Sequence, residues 1–195
     1  MKQEVIRRAM IDGTIHVIAR EGLDRATTKA LATESDVNEV YIYRFFDGKE
    51  DLFAKTFDYL DEELVKKIQE CLPIMHKGEI AIEDRCWMMF SCVWRFLLGN
   101  AEKCICFIRY YYSTYYKKLS YDKHFNAYKN IVTEFTPAFK EGADVWMTLN
   151  YILDVMLSYA IRVYNGELEN NDHTAEFVYN LVYAGVEPQL WWSKR

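Results

Sequence analysis

Turn-forming residues are scarce along this chain, and their scarcity limits its fold more than any other feature. Only 8 Gly and 3 Pro occur in 195 residues. A β-sandwich or β-barrel needs a turn about every 8–12 residues, so the sequence favours long helices. Apolar residues also recur at helical spacing, most clearly at Phe53, Phe57, Leu60, Leu64 and Ile68. We therefore predict an all-α protein of about nine helices.

Three short helices are predicted at the N-terminus, over about 3–20, 28–35 and 39–45. Thr27 and Asn38 have the residue types that cap helix N-termini. The break of about three residues between the second and third helices is what a helix-turn-helix requires. The sequence therefore predicts an N-terminal helix-turn-helix domain over residues 1–48.

The remaining residues, 49–195, are predicted to form a helical bundle. A long helix begins near Lys49 and ends before Pro73. Five more helices are expected near 79–98, 101–117, 121–140, 143–166 and 173–185. Because no apolar run reaches the roughly 18 residues of a membrane-spanning helix, and the N-terminus lacks the apolar core of a signal peptide, we expect a cytoplasmic protein that does not bind membranes.

Net charge and cysteine content exclude few classes of function, but the spacing of the cysteines argues against a metal centre. The net charge is −5, and residues 1–50 carry 8 basic and 9 acidic side chains, so the totals lack the basic excess common in nucleic-acid binders. The five cysteines lie in apolar helical stretches and are expected to be reduced, buried thiols. His124 is expected on the protein surface. Neither zinc-ligand spacing nor a catalytic motif is present, so we expect no metal, no cofactor and no enzymatic activity.

The third predicted helix has one face for the core and another for a partner. Val40, Ile42 and Phe46 are expected to pack inward. The residues expected to face outward are Glu39, Tyr41, Tyr43 and Arg44. An exposed row of tyrosines beside an arginine suits a surface that meets phosphates and bases, although simple solvated surface residues would show the same pattern.

The segment from Gly22 to Phe53 resembles the DNA-binding signature of the TetR family, in the same order and without gaps. The residues that carry the resemblance are Gly22-Leu23-Asp24-Arg25-Ala26-Thr27-Thr28, Leu31-Ala32, Val37-Asn38, Ile42-Tyr43, Phe46 and Lys49-Glu50-Asp51-Leu52-Phe53. The chain departs from the family pattern at Ala26, at Ser35-Asp36, where Asp must make the tight turn, and at Val40.

The resemblance implies a DNA-contacting role for nine residues. Those near the phosphates would be Thr27, Thr28, Lys29, Tyr43 and Lys49. Those that read or flank the base sequence would be Asn38, Glu39, Tyr41 and Arg44, since Arg can pair with guanine and Glu can accept from cytosine N4. Glu34, Asp36 and Glu39 place negative charge near the expected groove.

Aromatic and methionine side chains are concentrated after residue 74. Large aromatic residues at helical spacing are usually core, but in a roomy bundle they also form adaptable apolar pockets. The resemblance favours a pocket for a small apolar or aromatic effector. Its expected residues are Trp87, Phe90, Trp94, Arg95, Phe107, Tyr110, Tyr111, Trp146, Asn150 and Asp154. The last two could instead bridge helices.

The last two predicted helices are apolar on more than one face, so they need cover on both sides. The resemblance implies that they form a four-helix bundle in a homodimer. The residues expected at that interface are Leu153, Leu157, Ile161, Phe177, Val178, Leu181 and Val182. The whole chain is thus predicted to be a ligand-responsive regulator, a repressor, that binds a double-stranded DNA operator. The alternative is a helical interaction or ligand-binding protein whose helix-turn-helix no longer reads DNA.

Overall fold

The computed structural model describes residues 2–193, and these form ten α-helices. In chain order they are α1 (Lys2–Glu21), α2 (Thr28–Glu34), α3 (Val40–Phe45), α4 (Lys49–Cys71), α5 (Ile82–Leu98), α6 (Ala101–Tyr111), α7 (Thr114–Leu119), α8 (Tyr121–Phe135), α9 (Val145–Tyr164) and α10 (Asp172–Val186). Three short 3-10 helices cover Leu72–His76, Thr136–Ala138 and Glu187–Gln189. The all-α prediction is confirmed.

The structure has one α-helix more than the nine expected, because the helix predicted over 101–117 breaks at Ser113. Ser113 is extended, with φ −84° and ψ 163°. Its hydroxyl donates to the Tyr110 carbonyl at 2.6 Å. A serine side chain that bonds to a nearby backbone carbonyl competes with helix continuation, so α6 ends at Tyr111 and α7 begins at Thr114.

The chain divides into two compact units. The first comprises the chain up to Leu64 together with Glu102–Asn126, and the second comprises Val65–Ala101 together with the chain from Ala127 onward. Because α4 and α8 are continuous helices, each contributes residues to both units. No helix within residues 2–193 has the length and apolarity needed to cross a bilayer.

An aromatic cluster around Phe57 forms much of the first unit's core. The Phe57 ring centroid lies 4.8 Å from those of Phe107 and Tyr110 and 5.9 Å from that of His124. His124 is buried, and its Nδ1 lies 3.0 Å from an Asp61 carboxylate oxygen. The expectation of a surface histidine was therefore wrong: in α8 the ring faces the aromatic cluster, where it meets a carboxylate from α4.

The second unit contains a disulfide between Cys71, the last residue of α4, and Cys92 of α5. This corrects the expectation of five reduced thiols, since only Cys86, Cys104 and Cys106 remain as free cysteines. The pairing is possible because the end of α4 and the middle of α5 lie side by side, with the two Cα atoms 6.3 Å apart.

The C-terminal segment of the second unit is tied to the residues after α8. The backbone N–H of Lys140 donates to the Gln189 carbonyl at 2.7 Å, and that of Trp191 donates to the Ala138 carbonyl at 3.1 Å. Phe139 and Leu190 form an isolated antiparallel bridge. These bonds tie the chain beyond α10 to the residues after α8.

Candidate nucleic-acid interface and ligand cavity

Helix α2 begins at the predicted cap. The Thr27 hydroxyl oxygen accepts a hydrogen bond from the Ala30 backbone N–H at 3.1 Å, and Thr27 itself is exposed. Its hydroxyl proton therefore remains available to an acceptor outside the protein. Thr28 is half-buried and Lys29 is exposed, so the start of α2 offers a hydroxyl and a cation to solvent.

The turn between α2 and α3 is made by Asp36, as the sequence requires. Asp36 has φ +50°, in the left-handed region, where Asp and Asn are tolerated better than most residues. The Asn38 side chain then accepts from the Val40 backbone N–H at 2.9 Å. Helix α3 begins at Val40, one residue later than predicted, with half-buried Glu39 at the N-cap position.

Helix α3 buries one face and exposes the other. Ile42 is 0% and Phe46 is 4% exposed, whereas Tyr43 is 65% and Val40 is 68% exposed. The prediction that Val40 packs inward was wrong. Residues two positions apart in a helix point about 200° away from each other, so Val40 lies opposite Ile42. Arg44 is exposed too, so α3 presents Val40, Tyr43 and Arg44 to solvent.

An aromatic pair supports Arg44. The rings of Tyr41 and Phe45 stack with centroids 5.7 Å apart and an interplanar angle of 6°. The Arg44 guanidinium carbon lies 6.0 Å from the Tyr41 centroid and 5.7 Å from that of Phe45. These distances suit cation–π contacts, which restrict the arginine before any partner binds. Tyr41 is half-buried.

Basic and acidic groups are interleaved on this surface. Lys49, the first residue of α4, has its Nζ 5.5 Å from the Phe53 ring centroid. The Glu34 carboxylate is paired with Arg20 at 2.7 Å, so its negative charge is offset within the protein. Asp36 is exposed and Glu39 is half-buried, and both precede α3 in the chain.

The segment that forms the helix-turn-helix also resembles a known protein family in sequence. Residues 10–56 match the family of bacterial regulatory proteins named tetR. The helix-turn-helix is therefore similar to that of the tetR family. No curated protein matches the chain.

Solved structures extend the likeness in fold to the whole chain. A TetR family transcription regulator from Marinobacter aquaeolei VT8 has 15% identity and a TM-score of 0.71, over 94% of this chain and 97% of that one. The transcriptional regulator FadR from Bacillus subtilis has 20% identity and a TM-score of 0.66, over 91% and 98%. A TetR-family regulator from Haemophilus influenzae RD has 15% identity and a TM-score of 0.64, over 94% and 97%. The chain thus has the fold of TetR-type regulators.

The second unit of this TetR-type fold contains a partly open apolar cavity of about 140 Å³. Residues of α4, α5, α8, α9 and α10 line it, together with Leu190 and Trp192 from the C-terminal segment. Ile68 is the α4 residue in the lining. The lining has no acidic, basic or histidine side chain among the described residues.

Only Phe90 of the ten predicted pocket residues lines this cavity. Trp87, Trp94 and Arg95 line a separate cleft of about 500 Å³ with a polar rim from 170–172. The predicted residues that lie elsewhere are Phe107, Tyr110, Tyr111, Trp146, Asn150 and Asp154.

The positions of these six residues correct their assignment to one pocket. Phe107, Tyr110 and Tyr111 belong to the first unit, where the first two contact Phe57 and Tyr111 contacts Phe107. Trp146 instead contacts Tyr128 at a centroid distance of 6.1 Å. The Asn150 amide donates to the Trp146 carbonyl at 2.8 Å, and Asp154 is exposed. Aromatic richness alone did not identify which helix faces enclose the cavity.

The predicted dimer residues divide into buried and exposed groups. Leu157, Val178 and Val182 are buried, and Leu153 lines the cavity beside Val182. Leu157, Val178 and Val182 therefore have little surface to offer a partner, whereas Leu153 is half-buried. Ile161 is half-buried, and Phe177 and Leu181 are exposed.

Two exposed apolar residues on α9 were missed by the sequence analysis. Met147 is 62% exposed and Tyr151 is 38% exposed, and their four-residue spacing places them on one helix face. The Tyr151 hydroxyl donates to the Leu181 carbonyl at 3.1 Å, which joins this face to the exposed residues of α10. Helices α9 and α10 therefore share an exposed apolar face.

Proposed function

We propose that the chain is a ligand-responsive transcription regulator, a repressor, that acts as a homodimer in the cytoplasm and binds a double-stranded DNA operator. Residues 1–48 would contact DNA, and residues 49–195 would sense the ligand and form the dimer. The observation that carries the proposal is α3 itself. Its inner face is fixed by Ile42 and Phe46, while Tyr43 and Arg44 project into solvent.

The DNA contacts follow from the chemistry of the exposed groups. Thr27, Thr28, Lys29, Tyr43 and Lys49 carry hydroxyls or ammonium groups, which suit phosphate oxygens. The other predicted contact residues would meet or flank base edges, with Arg44 able to donate two hydrogen bonds to guanine. The residues that read or flank the base sequence would be Asn38, Glu39, Tyr41 and Arg44.

Helix α4 offers a route by which a ligand could change DNA binding. It begins at Lys49, and it contributes Ile68 to the cavity in the second unit. A ligand that displaces Ile68 would therefore act on the helix that carries a DNA-contacting lysine. Coupling free energies between such sites are typically about 1–3 kcal/mol, which corresponds to roughly a 5- to 150-fold change in operator affinity.

Proteins of similar fold support a sensing role. The multidrug binding protein EbrR was crystallised with imidazole, and FadR from Bacillus subtilis with stearoyl-CoA. A cavity with an apolar lining and few polar groups is the usual form of a small-molecule site. The effector of this chain would be a small apolar or aromatic molecule.

The exposed face of α9 and α10 would form the homodimer interface. Met147, Tyr151, Phe177 and Leu181 are each at least 37% exposed, and a two-fold axis would pair this face with its own copy. A dimer of helix-turn-helix domains binds half-sites about 34–36 Å apart, so its operator is a near-palindrome.

Substitutions on α3 and α4 test the DNA-binding proposal. Lys49→Ala should weaken binding to all duplexes about equally and lower the slope of log affinity against log salt by about 1. Tyr43→Ala should weaken binding in the same sequence-independent way, and Arg44→Ala should relax preference at one base pair by about 1–3 kcal/mol. Tyr112→Ala is the matched control, since Tyr112 is 67% exposed but lies outside the helix-turn-helix.

The alternative is a helix-turn-helix that no longer reads DNA, favoured by the acidic Asp36 and Glu39 beside α3. Under that alternative the unmodified protein would be a folded dimer with no preference for any duplex at any salt concentration. Circular dichroism and sedimentation on every variant separate lost DNA contact from lost folding.

A further inference from the structure

We infer that Cys71 and Cys92 form a redox switch: a low-molecular-weight thiol reduces their disulfide from the cleft beside α5, and reduction releases the end of α4. The inference rests on the proposed function, since it takes the chain to be a cytoplasmic regulator whose α4 affects DNA binding. It adds a modification site and a second class of signal, the cellular thiol–disulfide couple, which acts outside the apolar cavity.

The compartment of the protein makes its disulfide informative. The cytoplasm keeps most thiols reduced, and the disulfides that do form there are usually transient and serve catalysis or redox sensing. The Cα atoms of Cys71 and Cys92 are 6.3 Å apart, which lies within the range of ordinary disulfides. The pair can therefore close within the fold whenever the surroundings become oxidising.

The two cysteines differ in their access to solvent. Cys71 is 0% exposed, whereas Cys92 is half-buried and lines the cleft of about 500 Å³ that Trp87 and Arg95 also line. A small thiol that enters this cleft meets Cys92 and does not reach Cys71 directly. Exchange therefore begins at Cys92.

The exchange balances with the small thiol as its reductant. A thiolate attacks the Cys92 Sγ and forms a mixed disulfide, and Cys71 leaves as a thiolate that takes up a proton. A second thiolate attacks the small-molecule sulfur of the mixed disulfide, so that Cys92 is released, takes up a proton and leaves a small-molecule disulfide. Two small thiols thus give two electrons and two protons to the protein pair, and an excess of the small-molecule disulfide reverses both steps.

The three free cysteines are poorly suited to the same exchange. Cys104 is 4% and Cys106 is 1% exposed. Cys86 is half-buried, but burial raises the pKa of its thiol to about 11, so little of the reactive thiolate is present at neutral pH. A change in the thiol–disulfide couple therefore acts on the pair of Cys71 and Cys92.

Reduction would free the end of α4 while α5 stays in the core. Phe90, Val93 and Leu97 are buried and hold α5 without the disulfide. Just after α4, the Arg85 Nη1 donates to the Met75 carbonyl at 2.6 Å, but this hydrogen bond can break and re-form, so it restrains the chain less than a covalent bond does.

The freed helix is the one that carries a DNA-contacting lysine in the proposed function. Helix α4 begins at Lys49 and ends at Cys71. A disulfide that restricts a helix before DNA arrives reduces the ordering that binding must supply, and such preorganisation raises affinity. The oxidised protein should therefore bind its operator more tightly than the reduced protein.

Glutathione buffers with increasing ratios of reduced to oxidised glutathione test the switch on the full-length protein. Mass spectrometry should show Cys71 and Cys92 passing together from disulfide to thiols, and a brief treatment with N-ethylmaleimide should then modify Cys92 before Cys71. Amide hydrogen exchange over residues 68–76 should become faster on reduction. The duplex that the oxidised protein selects from random DNA should bind the reduced protein at least about fivefold more weakly.

Two variants serve as controls, with circular dichroism to establish that each is folded. Cys71→Ala/Cys92→Ala should ignore the glutathione ratio and bind DNA as the reduced protein does. Cys86→Ala removes another cysteine of α5 and should keep the full response.

The inference is overturned if the pair stays oxidised at every ratio, if Cys71 is modified first, or if the reduced protein binds DNA as tightly as the oxidised protein or more tightly. A folded protein that binds no duplex in either form would refute the regulator. Hydrogen exchange at the end of α4 then decides the switch by itself, because equal exchange in both forms would refute it.

Discussion

Opening the disulfide between Cys71 and Cys92 should lower the free energy of unfolding by about 3 kcal/mol. The two cysteines are 21 residues apart, and closing a loop of that length removes roughly 11 cal/mol/K of chain entropy from the unfolded state, or about 3 kcal/mol at 25 °C. A domain is typically stable by only about 5–15 kcal/mol. The loss would therefore shift the urea midpoint clearly.

Urea unfolding with and without dithiothreitol measures the effect, followed by circular dichroism. The unreduced protein should show three titratable thiols after denaturation, from Cys86, Cys104 and Cys106. The double variant Cys71→Ala/Cys92→Ala is the control and should be insensitive to the reductant. Five titratable thiols, or a midpoint that reduction does not move, would refute the reasoning.

Three further predictions concern single residues. Gly13→Ala should destabilise the first unit by about 1–3 kcal/mol, because its Cβ would lie 2.2 Å from the Ser35 Oγ and 3.0 Å from the Ser35 N; thermal unfolding tests this, and an unchanged melting temperature would contradict it. Asp36→Gly should raise the free energy of unfolding by up to about 1 kcal/mol, because glycine relieves the left-handed φ of +50°. Asp36→Gly and Asp36→Asn should both bind DNA more tightly, but Asp36→Asn should not gain stability. The pKa of Cys86 is raised from 9.0 to about 11 in the folded protein. The contribution of its protonated thiol to the free energy of unfolding should therefore be complete below pH 9 and lost as pH rises towards 11. A Cys86→Ala variant with the same alkaline pH dependence would contradict this.

The helix-turn-helix could be predicted from sequence because short-range chemistry defines it. The Thr27 cap, the Asp36 turn and the start of α4 at Lys49 depend on neighbouring residues alone, and the structure contains all three. Val40 was assigned to the wrong face although the helical repeat of about 100° per residue separates it from Ile42. A helix of six residues has too few apolar positions to make its periodicity obvious.

The ligand cavity could not be predicted because long-range packing defines it. Trp87 and Phe90 lie on the same helix and have similar side chains, but Phe90 lines the apolar cavity and Trp87 lines the separate cleft. Trp192 follows the last helix, where no periodic pattern marks it as part of a lining. The pairing of Cys71 with Cys92 was hidden for the same reason, since five cysteines in apolar helices do not reveal which two are adjacent.

Selection from a pool of random duplex DNA by the full-length protein tests most directly whether α3 reads sequence. The proposal predicts enrichment of a near-palindrome whose half-sites are about 10 base pairs apart, centre to centre. The enriched duplex should bind at least about 10³ times more tightly than random DNA at physiological salt, and Arg44→Ala should lose the preference at one position in each half-site. A folded protein that enriches no motif, or that binds every duplex with equal affinity, would contradict the account.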